Sequence, residues 1–234
     1  MKMNKTLLAM LSLLVFSTGF LFAQEQEKKE GSKLAKSMED FIRQFPMEEI
    51  YLLPEFTQSI LFYKDGTQSQ SMINICSADQ SLRFIDPKGD TLVLMRQEEV
   101  RRILADQQVF IQANRHFFKE LMVYGQKTLA MWHRFDIELA KKHEAIPASS
   151  TAKVYQPHEI FRYMGFPTEQ EVYYESRIVY VLIEDGQFTP ASPSSFRKMF
   201  PDKKKEIKSF IKENDIQFNK KDDVISLFYF CTQQ

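Results

Sequence analysis

The chain has 234 residues, with 31 basic and 31 acidic side chains and a formal net charge of zero. This balance gives no long-range attraction to nucleic acids or to anionic membrane surfaces, so it argues against both as partners. Hydrophobic residues make up 44% of the chain and include 21 phenylalanines. That supply is enough for a sizeable core without help from disulfides.

Residues 1–23 have the three parts of a secretory signal peptide. Lys2 and Lys5 precede an apolar run over residues 7–22, and Ala23 is a small residue at a cleavage point. The alternative is a transmembrane anchor, but the run is shorter than the roughly 20 residues that a spanning helix needs. We therefore predict an exported protein with no transmembrane segment after cleavage. The periplasm is favoured, with an extracellular or outer-membrane-associated location as the alternatives.

The mature chain is predicted to begin with a flexible lead-in over residues 24–32, which are polar and charged. From Lys33 onward apolar residues recur near helical spacing, which predicts a short amphipathic helix that Pro46 ends. The apolar positions of this predicted helix are Leu34, Met38, Phe41, Ile42 and Phe45.

Residues 59–139 favour antiparallel β-structure. Short turn signals, such as Asp65-Gly66 and Gly125-Gln126, separate runs in which apolar residues recur at period two. Strands joined by such short connections must run antiparallel, so the pattern predicts a meander. The predicted strands are residues 59–64, 67–76, 82–85, 91–95, 100–105, 109–112, 117–124 and 127–139.

The last of these strands predicts one buried and one solvated face. The face expected to be buried carries Leu129, Met131, His133, Phe135, Ile137 and Leu139. The face expected to be mostly solvated carries Ala130, Trp132, Arg134, Asp136 and Glu138.

The rest of the chain predicts a long connection over 140–170, a strand over 172–184 and a turn at Asp185-Gly186. From Ser192 the apolar period becomes helical, which predicts short helices over 191–234 that cover the sheet. Ser192 is the predicted N-cap of the first of them and Asn219 that of the third. The fold class is therefore α+β. A β-rich domain over 33–190, its meander flat or curled into a half-barrel, is followed by a C-terminal helical cap.

Three sequence motifs resemble a known group of proteins. They are Phe-Tyr-Lys-Asp-Gly-Thr at 62–67, Arg-Phe-Ile-Asp-Pro-Lys-Gly-Asp-Thr-Leu at 83–92, and the Lys-rich helix over 199–214. Together they are similar to uncharacterised exported proteins of Bacteroidetes bacteria. The resemblance implies a cell-envelope protein of unknown role, and it implies no catalytic residues.

The sequence predicts no catalytic, cofactor or metal residues. Its glycines are isolated, whereas a phosphate-cradling loop needs them clustered, and its histidines form no short-range pair. Asp136 and Glu138 share a strand face and could form an acid–base pair, but alternating charges there favour ion pairing instead. Cys76 and Cys231 are predicted to be buried and unpaired, with a bridge between them as the alternative.

An aromatic group beside the long connection is the candidate recognition surface. Its alternative role is to pack that connection onto the sheet. The leading functional hypothesis is a non-enzymatic envelope protein that binds another protein or a surface component. A carrier or sensor of a small apolar ligand or lipid is the alternative, with Met72, Leu129, Met131 and Phe135 lining a partly closed barrel, and an unrecognised enzyme comes third. The aromatic residues are Phe161, Tyr163, Phe166, Tyr173 and Tyr174.

Overall fold

The computed structural model describes residues 28–140, 161–162 and 165–233. The predicted signal peptide, most of the long connection and Tyr163 lie outside the described residues. The described chain forms one open antiparallel sheet of 11 strands with short helices, so the predicted α+β class is confirmed. The strands are β1 (Lys29–Ala35), β2 (Thr57–Tyr63), β3 (Gln68–Ile75), β4 (Leu82–Ile85), β5 (Thr91–Val93), β6 (Val100–Ala105), β7 (Gln108–Ala113), β8 (His116–Tyr124), β9 (Lys127–Leu139), β10 (Gln170–Glu184) and β11 (Gln187–Pro190).

The strand order corrects the prediction of a single meander. Across the sheet the order is β1-β10-β9-β8-β7-β6-β2-β3-β4-β5, with β11 on the remaining part of β10. Strand β6 therefore returns to pair with β2 instead of β5. The Gln97 side chain fixes this crossing, because it accepts a hydrogen bond from the Leu82 amide at 2.8 Å and donates one to the Gln80 carbonyl at 2.9 Å. The sheet is two meanders joined where β2 meets β6.

Strand β1 corrects the predicted lead-in. Residues from Lys29 onward pair with β10, from Lys29 opposite Ser176 to Ala35 opposite Gln170. The polar composition that suggested a flexible segment is that of an edge strand, where charged side chains discourage pairing with other chains.

The predicted N-terminal helix is shorter than its apolar pattern indicated. Helix α1 covers only Met38–Ile42, and Ser37 caps it by accepting a hydrogen bond from the Asp40 amide at 3.2 Å. Leu34, assigned to the helix from its spacing, lies in β1 with 58% of its surface exposed. A second short helix, α2 (Met47–Ile50), follows Pro46.

The predicted hairpins are confirmed. Gly66 and Gly186 both adopt positive φ, +90° and +72°, in the turns between β2 and β3 and between β10 and β11. Glycine adopts such angles without the steric penalty of a Cβ atom. At Gly31 a different constraint applies, because an added Cβ would lie 3.0 Å from the Tyr174 hydroxyl.

Three C-terminal helices cap one face of β8–β10, as predicted. They are α3 (Pro193–Met199), α4 (Lys204–Glu213) and α5 (Lys221–Thr232). Ser192 and Ser195 form a capping box at the start of α3, confirming the predicted cap. The third helix begins at Lys221, one residue later than a cap at Asn219 would place it, and Lys220 occupies the N-cap position.

The two faces of β9 differ in what packs on them. We call the face that carries Leu129, His133 and Phe135 the back face. The C-terminal helices cover it at Leu129, and α1 with its neighbours packs near Phe135. The opposite, front face was predicted to be mostly solvated, yet Ala130 is fully buried there beneath an aromatic cluster that includes Trp132. Its solvated part begins only at Arg134.

A buried arginine ties α1 to the sheet. The Arg83 side chain is 5% exposed and forms ion pairs with Glu39 at 2.8 Å and Asp79 at 3.0 Å. Its Nε donates a third hydrogen bond to Ser81 Oγ at 3.0 Å. Asp79 is itself only 12% exposed. Removing Arg83 would therefore leave the Asp79 carboxylate poorly hydrated and without its counter-ion.

We expect Arg83→Met to lower the free energy of unfolding by about 3 kcal/mol, because breaking a buried pair leaves an uncompensated charge. Urea denaturation of the full chain measures this loss. Arg101→Met is the matched control, since Arg101 is exposed on β6 and should change stability by less than about 0.5 kcal/mol. Equal effects of the two substitutions would contradict the structural role of the Arg83 ion pairs.

Both cysteines are buried and free, which confirms the prediction of two unpaired thiols. Burial raises the pKa of the Cys231 thiol to about 12 and also raises that of Cys76. In the part of the chain that the structure describes, no helix is sufficiently long and apolar to span a bilayer.

We therefore expect a thiol reagent such as dithionitrobenzoate to react slowly with the folded protein. Reaction of both thiols should follow on unfolding without a reductant, because neither forms a disulfide and only the thiolate is reactive. Absorbance of the released thiolate measures this. Unfolded protein that yields no titratable thiol would contradict the assignment.

Candidate functional site

An open groove of about 820 Å³ crosses β1, β10 and β9 at the solvated part of the front face. The register brings its side chains together, because Glu30 lies opposite Glu175, which in turn lies opposite Asp136. Tyr173 pairs in the same way with Ser32 on one side and Glu138 on the other. Side chains at alternate positions of three neighbouring strands thus form one continuous surface.

Ion pairs organise the middle of this groove. Asp136 binds Arg134 at 2.7 Å and Arg177 at 3.5 Å. Glu175 pairs with Arg177 and with Lys28, the latter at 3.2 Å. The Arg134 guanidinium also lies 5.5 Å from the centre of the Trp132 ring, which links the groove to the aromatic cluster beside it.

Two side chains at the end of the groove remain available to a partner. Tyr173 is 47% exposed, and its hydroxyl hydrogen bond to the Glu171 carboxylate raises its pKa. Glu138 is exposed, and its carboxylate makes no ion pair or hydrogen bond within the described residues. An exposed ring beside a free carboxylate offers both apolar contact and a charged acceptor.

The structure separates the aromatic residues predicted as a recognition surface. Phe161 is 1% exposed and packs in the cluster around α1, with its ring centre 6.3 Å from that of Phe41. Phe166 and Tyr174 are partly buried against the same cluster. Tyr163 lies outside the described residues. Of the four described rings only Tyr173 is strongly exposed. Phe161 is a core residue, and Phe166 and Tyr174 pack the end of the connection against the sheet.

Several groove residues were missed by sequence reasoning. Glu30 and Ser32 were assigned to a flexible lead-in. Glu175 was predicted to lie in a strand, but not to belong to a functional surface. Their proximity to Asp136 depends on pairing between segments more than 30 residues apart in sequence. Only the period-two pattern of residues 172–177 could have indicated which of them share a face.

Asp136 is ion-paired, as the alternating charges of its strand face indicated, and so it is not free to act with Glu138 as an acid–base pair. Asp136 is bound by two guanidinium groups, while Glu138 has no partner within the described chain. No group of three or more His, Cys, Asp or Glu side chains suited to a metal ion occurs among the described residues.

The back face holds a second polar pair directly behind the groove. His133, on the face predicted to be buried, has its Nε2 2.7 Å from Ser176 Oγ. Burial, assisted by the nearby positive charge of Lys29, lowers the pKa of His133 to about 4. The imidazole is therefore neutral near pH 7.

The residues suggested as the lining of a barrel pocket lie in different environments. Leu129 and Met131 pack beneath the C-terminal helices, whereas Phe135 packs against α1. Met72 is 38% exposed on β3. Because the sheet is open, these four side chains line no common pocket.

No family model matches this chain, and no curated protein or solved structure is significantly similar to it.

We expect acid to destabilise the fold through His133. Its pKa of about 4 in the folded state lies below the ordinary value of 6.5, so the unfolded chain binds the extra proton. Stability from this group is complete above pH 6.5 and falls as the pH drops toward 4, by about 3 kcal/mol in all. His133→Gln, which keeps a polar group for Ser176, should remove this part of the pH dependence.

Urea unfolding of both proteins between pH 7 and pH 4 measures the difference. Parallel stability curves for the wild type and His133→Gln would contradict the assignment of a neutral, buried His133.

Proposed function

We propose that the chain is a non-enzymatic, exported cell-envelope protein that binds another protein or a surface component through its front-face groove. The main support for this proposal is the exposed end of that groove. There Tyr173 and Glu138 lie opposite each other on neighbouring strands and project into solvent. At this end the back face of the same strands is covered by the cluster around α1, which includes Val172 and Ile137. The groove therefore sits on a rigid support, as recognition surfaces commonly do.

The charges of the groove suit recognition. Its lining contains four acids, Glu30, Asp136, Glu138 and Glu175, and one base, Arg134. Flanking cations neutralise the middle of the groove, whereas the Glu138 end keeps its acidic character. We expect a partner that presents basic or hydrogen-bond-donating groups beside an apolar surface for the Tyr173 ring.

The export part of the proposal rests on the N-terminal sequence pattern and on the resemblance to exported Bacteroidetes proteins. The balanced charge of the chain is consistent with a partner recognised at short range.

Affinity capture from a cell-envelope extract, followed by mass spectrometry of proteins, lipids and glycans, tests the proposal. The bait is the full chain as wild type, as the double variant Tyr173→Ala/Glu138→Lys, and as Tyr229→Ala. Tyr229 is the matched control because it is 56% exposed on α5, away from the groove.

We expect the double variant to capture its partner at least about tenfold less well, as for loss of a central contact in an interface. The Tyr229→Ala bait should behave like the wild type. Equal capture by the wild type and the double variant would rule out the groove as the binding surface. Turnover of a substrate by the wild type in a broad screen would overturn the non-enzymatic assignment.

A further inference from the structure

A second cavity lies on the back face, where the two covers of the sheet leave a gap. The N-terminal cover reaches Phe135 and Tyr174 through Phe45, with ring centres 5.5 and 4.9 Å apart. The C-terminal helices reach only as far as Ile178 and Met131. Between these limits, at His133 and Ser176, neither cover packs on the sheet, and the gap forms a cleft of about 400 Å³.

The walls of the cleft are apolar and its mouth is charged. Phe45, Phe135, Tyr174 and Ile178 form the walls. At the mouth, Lys29 pairs with Glu49 at 3.1 Å, which satisfies both charges without a ligand. Glu48, on the exposed side of α2, makes no ion pair within the described residues.

The floor of the cleft carries hydrogen-bonding groups in an apolar setting. His133 and Ser176 bind each other through Nε2 and Oγ at 2.7 Å. The second ring nitrogen of His133, Nδ1, has no hydrogen-bond partner among the described residues, and it does not belong to the buried unsatisfied atoms. Either tautomer leaves Nδ1 free to donate or accept one hydrogen bond.

We propose that this cleft binds a small uncharged molecule with an apolar, ring-containing body and one hydrogen-bonding group directed at the His133–Ser176 pair. A cavity of this volume that combines apolar walls with a few convergent polar groups is typical of small-molecule sites. Arg177 also lines the cleft, but its guanidinium pairs with Asp136 and Glu175. The imidazole is neutral near pH 7, so it selects a hydroxyl, carbonyl or amine N–H group over a carboxylate. This inference is independent of the groove, since the cleft lies on the opposite face of β9 and β10.

The volume of the cleft suits a small molecule and not a polypeptide. A helix is about 10 Å across with its side chains, so a single turn would already fill about 400 Å³. Strand β10 is bonded to β9 along the whole cleft and to β1 as far as Ser176, and β11 pairs from Val181 onward. The free edge between them is shorter than the usual strand of about five or six residues.

N-Phenyl-1-naphthylamine is a suitable probe, because it is uncharged, ring-containing and carries a single N–H, and its fluorescence rises in apolar sites. The blocking variant is Glu48→Trp, which places a large side chain at the mouth from an exposed helix position. Met47→Trp is the matched control, since Met47 is the neighbouring residue, is 39% exposed and does not line the cleft. His133→Gln removes the imidazole from the floor without changing the mouth.

We expect saturable fluorescence enhancement with the wild type and with Met47→Trp. Affinity should fall by about tenfold or more in Glu48→Trp, and by about threefold or more in His133→Gln. Melting curves of each variant establish that it is folded.

Absence of saturable binding to the wild type would overturn the proposal. So would unchanged binding by Glu48→Trp, which would place the probe on another apolar surface such as that around Trp132. Unchanged affinity in His133→Gln would disprove the hydrogen-bonding floor. If instead the Tyr173→Ala/Glu138→Lys variant binds the probe normally but loses its captured partner, the cleft and the groove are separate sites.

Discussion

The long antiparallel ladder between β9 and β10 is the constraint on which the rest of the structure depends. It runs without a break from Val172 opposite Leu139 to Ile183 opposite Thr128. Because side chains alternate along both strands, every residue of the ladder is assigned to one face. A slip of one residue would move the His133–Ser176 pair to the front and the charged groove to the back. All other strands of the sheet, and both helical covers, are positioned from this ladder directly or through its neighbours.

The ladder also explains why two different sites lie back to back. Its back face is apolar at both ends, where the C-terminal helices pack on Leu182 and the N-terminal cover packs on Val172. The covers come from opposite ends of the chain, and nothing in the described structure fills the space between them except His133 and Ser176. On the front face the same stretch carries Arg134, Asp136 and Glu175; the first two pair with each other, and Glu175 pairs with Lys28 at the solvated groove. Alternation thus places a cleft with aromatic walls behind an open, charged groove.

The sequence was informative where structure is determined locally. Turns at Asp65-Gly66 and Asp185-Gly186, and the cap at Ser192, follow from the conformational and hydrogen-bonding preferences of a few neighbouring residues. The sequence was not informative where strands pair with segments that are distant along the chain. The edge strand from Lys29 has the composition of a flexible segment, and its place in the sheet depends on residues near 170–176. The return of β6 to β2 was missed for the same reason, since Gln97 holds the crossing through groups on β4 and its preceding loop. The cleft could not be foreseen at all, because it is a gap between two covers.

The charged groove differs in kind from an acid–base site, although it contains the two carboxylates that first suggested one. Catalysis by paired carboxyl groups requires both to face a substrate, one of them as a proton donor. Here Asp136 already accepts contacts from Arg134 and Arg177, so a substrate would have to displace two guanidinium groups to reach it. Glu138 makes no ion pair within the described residues, and it stands beside the Tyr173 ring on an open surface where water has access. Exposure of this kind favours binding over chemistry, because recognition tolerates solvent at its rim whereas proton transfer gains from its exclusion.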